Sequence, residues 1–476
     1  MQPTESTSRE SVAATIGRSG YVWGIAMVAA LGGLLFGYDW VVIGGARQFY
    51  EIYFHLSSAA LIGWANSCAL VGCLIGSLAV GPLANTAGRC RILLASAIVF
   101  AISSIFTGHA HTFWSFIVWR IFGGVAIGLS SNVSPLYIAE ISPAAIRGRL
   151  VSLNQFAIVV GILLAQIVNW AIARPVLAGA SNEALLQTWN VQEGWRWMFY
   201  AVAIPAVGFT VASIFLPESP RWLLDRGHPD EAHAVLERIG GSAYASAEMA
   251  GMQRSFARQA ETSVHWKALL RPGILPIVLT GMALAVLQQW TGINILFNYA
   301  AEVYRSAGYR ANDIFLNIVI TGTINLVFTL VSMALVDRVG RRRLMIYGAA
   351  GIGISHLLCA LAYREQWPAA AVLILTLCAI ACYALTLAPV TWVLIAEIFP
   401  HQVRSHGISA AVSALWIASF LLTYSFPSLN THLGTAGTFM LYGAICLVGV
   451  VFVAKVVPET KGKSLEEIED ALTVHF

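Results

Sequence analysis

The sequence predicts an all-α integral membrane protein, with twelve transmembrane helices in two parallel six-helix repeats and a cytoplasmic helical linker between them. Three observations lead to this fold class. Charged residues are scarce, apolar segments of membrane-spanning length recur along the chain, and three loop motifs of the first half return in the same order in the second half.

Composition alone excludes most soluble classes of protein. Hydrophobic residues occupy 58% of the 476 positions and charged residues only 11%, whereas about 25% of an ordinary soluble domain is charged. So few charges could not cover the surface of a soluble chain this long, which excludes a soluble enzyme, a nucleic-acid-binding protein and a disordered scaffold. The seven cysteines lie mostly in apolar stretches and lack metal-ligand spacing, so we predict no metal and no other cofactor.

The predicted spans follow from hydropathy, because a membrane-crossing helix needs about 20 apolar residues. They lie at 21–45, 60–84, 92–108, 113–139, 149–173, 197–216, 274–302, 314–336, 342–363, 370–396, 405–428 and 434–457. The domain boundaries that we predict from them are an N-terminal segment at 1–20, a first half at 21–217, a linker at 218–272, a second half at 273–457 and a tail at 458–476.

The distribution of Lys and Arg predicts the orientation, because positive residues are retained in the cytoplasm. With the N-terminus inside, about 21 of the 28 Lys and Arg residues fall on the cytoplasmic side. We therefore expect a multi-pass protein of the cytoplasmic (inner) membrane, with both termini in the cytoplasm.

The chain contains an internal repeat. The stretch from Glu140 to Arg147 returns from Glu397 to Arg404, with the same spacing of Glu, Pro and Arg. A Gly-Arg turn at Gly88 returns at Gly340, and Pro-Glu sequences follow both the sixth and the last span. Two halves of like orientation are typical of transporters with a site at the middle of the membrane.

Two charged residues are predicted to lie inside the membrane, Asp39 in the first span and Arg120 in the fourth. An unpaired charge at the bilayer centre costs at least about 2.5 kcal/mol, so we expect the two side chains to face the interior and pair with each other or with water. If a conformational change moved the arginine away, Asp39 could take up a proton. The alternative is a static structural ion pair.

The loop motifs, together with Pro217–Leu224, Gln288–Asn294 and the tail sequence from Pro458 to Leu465, resemble those of the sugar porter family within the major facilitator superfamily. The likeness is greatest to bacterial D-xylose/proton symporters and covers almost the whole chain. The resemblance implies the major facilitator fold, alternating access around one monosaccharide site, and proton coupling through an Asp at position 39.

Amide and aromatic side chains suit a sugar, because amides bind hydroxyl groups and flat rings cover the C–H face. Gln288 and Gln289 do not share one narrow helical face with Asn294, so an interruption of the helix at Gly292 is expected to bring the three together. An interhelical hydrogen bond is the alternative role for each amide. The resemblance completes the predicted site, which comprises Phe36, Gln166, Gln288, Gln289, Asn294, Asn325, Trp392 and Trp416.

Three positions depart from the pattern of xylose and glucose transporters. Ile162 and Leu415 stand where the family has amides, and Asn298 replaces an aromatic residue. Gln166, one helical turn from Ile162, is expected to compensate in part, since it lies about 6 Å further along nearly the same face. We therefore expect a pentose or hexose rather than D-xylose in particular.

Charged residues of the repeated loops are predicted to gate the cytoplasmic side. Acidic residues at span ends face arginines there and would hold the two halves together when the outside is open, although retention by the positive-inside rule also explains the arginines. The predicted gating residues are Arg89, Arg91, Glu140, Arg147, Asp337, Arg341, Glu397 and Arg404.

We therefore predict proton-coupled import of a monosaccharide by a secondary transporter rather than an enzyme, since no catalytic constellation or cofactor motif is present. A passive sugar uniporter and a non-transporting sugar sensor are the alternatives. The expected partners are the sugar, protons and the lipid bilayer, without nucleic acid, and we expect a monomer.

Overall fold

The computed structural model describes residues 20–175, 182–260, 266–400 and 403–461, and within these ranges the chain folds into helices joined by short connections, with no strand. Eleven of its helices are long and apolar enough to cross a membrane, and the last of them contains two spans. We number the spanning helices α1 to α12 in chain order.

The first half contains six spanning helices. They are α1 Gly20–Tyr53, α2 Ala59–Ala87, α3 Arg89–Gly108, α4 Phe113–Ile141, α5 Arg147–Ile172 and α6 Asn190–Ser213. A short helix, Asn182–Leu186, precedes α6, which opens with a π-helical turn at Asn190–Gly194. In the predicted linker, a short helix at Pro220–Asp225, a longer one at Pro229–Ala260 and a 3₁₀ turn at Trp266–Leu270 lead to the second half.

The second half repeats the plan with interrupted helices. Its spanning helices are α7 Leu275–Asn298, α8 Ala311–Val339, α9 Arg341–Arg364, α10 Ala369–Ile398, α11 at residues 404–433 and α12 at 435–456. A short helix, Ala300–Ser306, follows α7. Helix α7 is interrupted at Thr291 and Gly292, and α10 is interrupted at Thr386.

The boundary between α11 and α12 differs from the prediction. Helical hydrogen bonding runs from Arg404 to Val456, a length of 53 residues that would reach about 80 Å at 1.5 Å per residue, more than twice the hydrocarbon core. Gly434 has a left-handed φ of 67° and divides this run into two spans. The turn therefore occupies a single glycine, and α11 continues five residues beyond the predicted end at 428.

Helix α1 is also longer than the predicted 21–45. The sequence prediction stops where charged residues begin, but Arg47 and Glu51 form an ion pair one turn apart along the helix, at 2.5 Å. That pairing lowers the cost of continuing an apolar helix through two charges.

Close helix packing fixes the parts of the bundle that matter for the site. Helices α2 and α4 approach closely because Gly124 and Gly128 carry no side chain. A methyl group at either position would overlap the carbonyl oxygen of Ala69 or Cys73, respectively. Small residues at a helix interface allow this close packing inside a membrane. Contacts between the two halves are made chiefly by α2 with α11 and by α5 with α8.

Candidate functional site

The two intramembrane charges meet. Arg120 Nη1 donates to Asp39 Oδ1 at 2.6 Å, and both side chains are almost completely buried. The guanidinium also lies 5.5 Å from the centre of the Phe199 ring. The predicted pairing of these residues is present, with α1 supplying the acid and α4 the base inside the first half.

Three amides meet in α7. Gln289 Nε2 donates to Gln288 Oε1 at 2.9 Å, and Asn294 Nδ2 donates to Gln289 Oε1. The expected interruption allows this, because Gly292 adopts a φ of 82° and the segment after it turns Asn294 back towards the glutamines. A Cβ at Gly292 would stand 2.7 Å from the Tyr442 ring, so only glycine fits this turn.

An aromatic group lies at the boundary of the two halves. The ring centres of Phe36 and Trp416 are 5.9 Å apart, and Trp40 lies 5.7 Å from Phe36 and 6.2 Å from Trp416. Helix α1 supplies two of these rings and α11 the third. Among the residues that the structure describes, the buried indole nitrogen of Trp416 has no hydrogen-bond partner, which leaves a donor available for a ligand.

The remaining predicted sugar residues differ in setting. Asn325 is buried in α8, and Trp392 of α10 is 39% exposed. Gln166 is buried, with Nε2 3.5 Å from Thr321 Oγ1 and its amide oxygen pressed against Gly322. In this conformation its amide therefore contacts α8 across the interface between the halves.

Two ion pairs occupy equivalent places at one end of the bundle, which we call the motif end because the repeated loops lie there. Arg89 pairs with Glu140 through two nitrogens at 2.9 Å, and Arg341 Nη2 lies 3.4 Å from Glu397 Oε1. Each pair lies within its own half. In this conformation neither joins the two halves.

The other predicted gating residues bind backbone or face solvent. Arg147 donates to the carbonyl of Ser142, and Arg404 donates in the same way to Phe399 at the equivalent position of the second half. Arg91 is exposed. The side chain of Asp337 lies outside what the structure describes.

Carboxylates of the Pro-Glu motifs complete the structural repeat. Glu218 accepts hydrogen bonds from the backbone N–H of Arg89 at the start of α3, and Glu459 accepts one from Arg341 at the start of α9, at 2.8 and 2.9 Å. A carboxylate at a helix N-terminus satisfies otherwise free N–H groups and the helix dipole. These two residues were missed as functional candidates, although their repetition after the sixth and last spans was a signal.

A charged cluster closes the opposite end. Arg47 Nη2 lies 2.6 Å from Glu302 Oε2, so an ion pair joins α1 of the first half to the segment after α7. Asn430 Nδ2 donates to Glu302 Oε1 at 2.5 Å, and the Arg47 guanidinium lies 4.2 Å from the centre of the Tyr299 ring. Nearby, Arg305 donates to Gln48 at 2.5 Å. We call Arg47, Glu302 and Asn430 the clamp.

The chain is similar to known proteins along almost its whole length. The model of the family described as "Sugar (and other) transporter" matches residues 25–472. The chain belongs to this sugar transporter family. It is 36% identical to the D-xylose-proton symporter of Escherichia coli over 95% of this chain and 96% of that protein. It is also 36% identical to the glucose transport protein of Synechocystis over 98% of this chain and 100% of that one.

The fold of the family agrees as well. The inward-open structure of the Escherichia coli xylose transporter matches with a TM-score of 0.83 and 34% identity, covering 95% of this chain and all of that one. Family membership makes the chain a transporter rather than an enzyme, with the major facilitator fold that the resemblance implies. It is a multi-pass membrane protein.

Sequence reasoning missed the clamp. Arg47 lies two residues beyond the predicted end of the first span, and Glu302 is the last residue of the predicted seventh span. A signal was present, because Arg47 stands two turns beyond Asp39 in the same helix. Its partner lies 255 residues away in the chain, and only the packed bundle identifies it.

Proposed function

We propose that this chain imports a monosaccharide, a pentose or hexose, together with a proton, by alternating access of its two halves. The observation that carries the proposal is the buried pair of Asp39 and Arg120 in a member of a sugar transporter family. Such a charge is costly in the membrane and is retained where it serves transport. The names of two relatives, a D-xylose-proton symporter and a glucose transport protein, support the substrate class.

The proposed sugar site is built from the amides of α7 and the rings at the boundary of the halves. Gln288, Gln289 and Asn294 would bind hydroxyl groups by exchanging their mutual hydrogen bonds for bonds to the sugar. Phe36 and Trp416 would cover an apolar face of the ring. Asn325, Trp392 and Gln166 belong to the same proposal as further contacts made when the halves close on the sugar.

In the proposed orientation the motif end is cytoplasmic, both termini lie inside, and the protein sits in the inner membrane as a monomer. The clamp then lies on the outer side. Because the clamp joins the halves there while the described ion pairs of the motif end stay within each half, the geometry favours an inward-facing conformation. Asp39 would carry its proton when Arg120 withdraws and release it when the pair re-forms, as it is here.

The experiment is transport by purified protein in liposomes. Counterflow of labelled D-xylose, D-glucose or L-arabinose tests sugar exchange without a proton gradient, and a pH-sensitive dye reports proton movement with the sugar. We expect alkalinisation outside the vesicles on sugar addition. Asp39→Asn should abolish this proton movement and preserve counterflow.

The results separate the alternatives. Counterflow without proton movement in the parent would show a passive uniporter, and binding without counterflow would show a sensor. Gln289→Ala serves as the control for the sugar site, because it should abolish counterflow and proton movement together.

A further inference from the structure

A small cavity adjoins the Asp39–Arg120 pair. Its volume is about 20 Å³, and its lining comes from α1, α2 and α4 of the first half and from one residue of the second half, Asn298 of α7. Trp40, which touches the ring of Trp416 in the proposed sugar site, also lines it. The cavity therefore lies beside the Asp39–Arg120 pair and next to the proposed sugar site, and both halves of the molecule contribute to its lining.

Three polar atoms of the lining residues have no hydrogen-bond partner within the part of the chain that the structure describes. They are Asn66 Oδ1, Asn298 Oδ1 and Arg120 Nε, all of them buried. The other groups of two of these side chains are engaged, since Asn66 Nδ2 donates to the carbonyl of Ile62 at 3.0 Å and Arg120 Nη1 donates to Asp39. Leaving a buried polar atom unsatisfied costs about 1–3 kcal/mol, so three such atoms on residues that line one cavity require an explanation.

The chemistry of the three atoms matches one ligand. A buried water needs about 10–15 Å³ and two to four polar partners, and the cavity offers both. A water molecule can donate one hydrogen to each amide oxygen and accept from the guanidinium N–H. A cation would meet Arg120 at close range, and a sugar would not fit the volume.

We propose that this cavity is a hydration site, in which one ordered water bridges Arg120 Nε, Asn66 Oδ1 and Asn298 Oδ1. The water makes Asn298 a positioning residue for the guanidinium that holds Asp39. Because Asn298 ends the helix that carries Gln288, Gln289 and Asn294, displacement of this segment removes one partner of the water and loosens Arg120. Sugar-driven movement of α7 thereby reaches the proton pair, a consequence that rests on the proposed function.

The charged and titratable environment of Asp39 is simple. The titratable groups that interact electrostatically with the pair come from α1 and α2, while α6 contributes the ring of Phe199 and α7 the neutral amide of Asn298. These titratable groups are Cys68, Cys73 and Tyr50. Arg120 itself is the charged neighbour of Asp39, and the water acts on Arg120.

Radiolytic labelling tests the water without any transport assay. Hydroxyl radicals generated from a bound water oxidise the side chains beside it, and two thiols of α2 provide a matched pair. Cys73 lines the cavity and Cys68 does not, yet both are fully buried on the same helix. We expect Cys73 to be labelled about tenfold faster than Cys68, since only Cys73 borders the water. Equal, slow labelling of the two thiols in the parent protein overturns the proposal.

A double-mutant cycle tests the link across the halves. Asn66→Leu and Asn298→Leu keep side-chain size but remove an amide, and each should lower proton-coupled uptake relative to counterflow by about three- to tenfold, the worth of one hydrogen bond. If both amides hold the same water, the double variant should resemble either single variant. Fully additive effects would refute a shared water.

Both variants should also reduce Cys73 labelling to the level of Cys68, and persistence of fast labelling would contradict the assignment of partners. The two proposals can fail separately. If the parent moves no protons with sugar, the proposed symport is wrong, while the labelling ratio of Cys73 to Cys68 still decides whether the water is present.

Discussion

Breaking the clamp should shift the protein away from the inward-facing conformation that we propose. Glu302→Gln keeps the size of the side chain and removes the charge that faces Arg47 across the two halves. Since the pair exists only while the two halves are closed at the clamp, its free energy contributes to one conformation and not to the other. A loss of this pair therefore changes the equilibrium directly.

The magnitude follows from geometry and burial. Two unit charges about 4 Å apart interact by about 4 kcal/mol at an effective dielectric constant of about 20. The side chains of Arg47 and Glu302 are 11% and 29% exposed, and Arg47 retains Glu51 as a partner, so the net value is smaller. The free energy of the Arg47–Glu302 pair should therefore lie between that of an exposed ion pair, under about 1 kcal/mol, and that of a charged hydrogen bond, about 1.5–3 kcal/mol. About 1–2 kcal/mol changes the ratio of the two states roughly 5- to 30-fold.

Distances between spin labels at the clamp end of the bundle measure that ratio. Ser57→Cys in the first half and His432→Cys in the second are exposed positions at this end, and the exposed Cys378 is replaced in the background. We expect the population with a long label distance to rise by this factor in Glu302→Gln. The matched control is Glu365→Gln, which removes the charge from an exposed pair with Arg364 near the same end and should change nothing measurable. Unchanged populations in Glu302→Gln, or an equal shift in the control, would refute the reasoning.

Three further outcomes follow from the site and its supports. Gln289→Ala should abolish counterflow, whereas Gln166→Ala should weaken sugar affinity in equilibrium binding. An unchanged sugar affinity in Gln166→Ala means that Gln166 has no part in the site. His356→Leu removes the side chain whose Nε2 lies 2.8 Å from the carbonyl of Thr291 at the interruption of α7. The free energy of unfolding should fall by about 1–3 kcal/mol and recover in part in His356→Gln, as measured by thermal denaturation in detergent. Gly124→Val should prevent close packing of α2 and α4 and reduce the yield of folded monodisperse protein on size-exclusion chromatography, an effect that Gly251→Val in the linker should not reproduce.

The sequence predicted the number and order of the spans because hydrophobic length is a one-dimensional property of a membrane helix. It also predicted that Asp39 would meet Arg120, since two isolated charges in an apolar bundle have few other partners. The repeat predicts that Glu140 and Glu397 face arginines of the loops, but it does not predict which arginine each of them contacts. In the folded protein Arg89 and Arg341 reach them, while Arg147 and Arg404 turn to backbone carbonyls.

Contacts across the halves were less predictable. Spacing to Ile162 predicts that Gln166 lies on the sugar-facing side of α5, but it does not predict the contact of its amide with Thr321, which depends on the close approach of α5 to α8. The clamp depends on the same kind of information, because residues far apart in the chain meet only when the halves dock. Periodicity fixes a side chain's direction on its own helix, whereas the distance between helices depends on the packing of the whole bundle.

The position of an ion pair decides whether it stabilises one half of the molecule or changes the equilibrium between the two conformations. If the halves move largely as rigid bodies, the pairs Arg89–Glu140 and Arg341–Glu397 persist in both conformations, and their free energy cancels from the equilibrium between them. They stabilise each half, together with the carboxylate caps of Glu218 and Glu459. Among the ion pairs between described residues, Arg47–Glu302 joins the two halves, so its energy does not cancel. The preference for the conformation that is closed at the clamp therefore depends on a few charges near one end of α1, about two turns from Asp39 in the same helix.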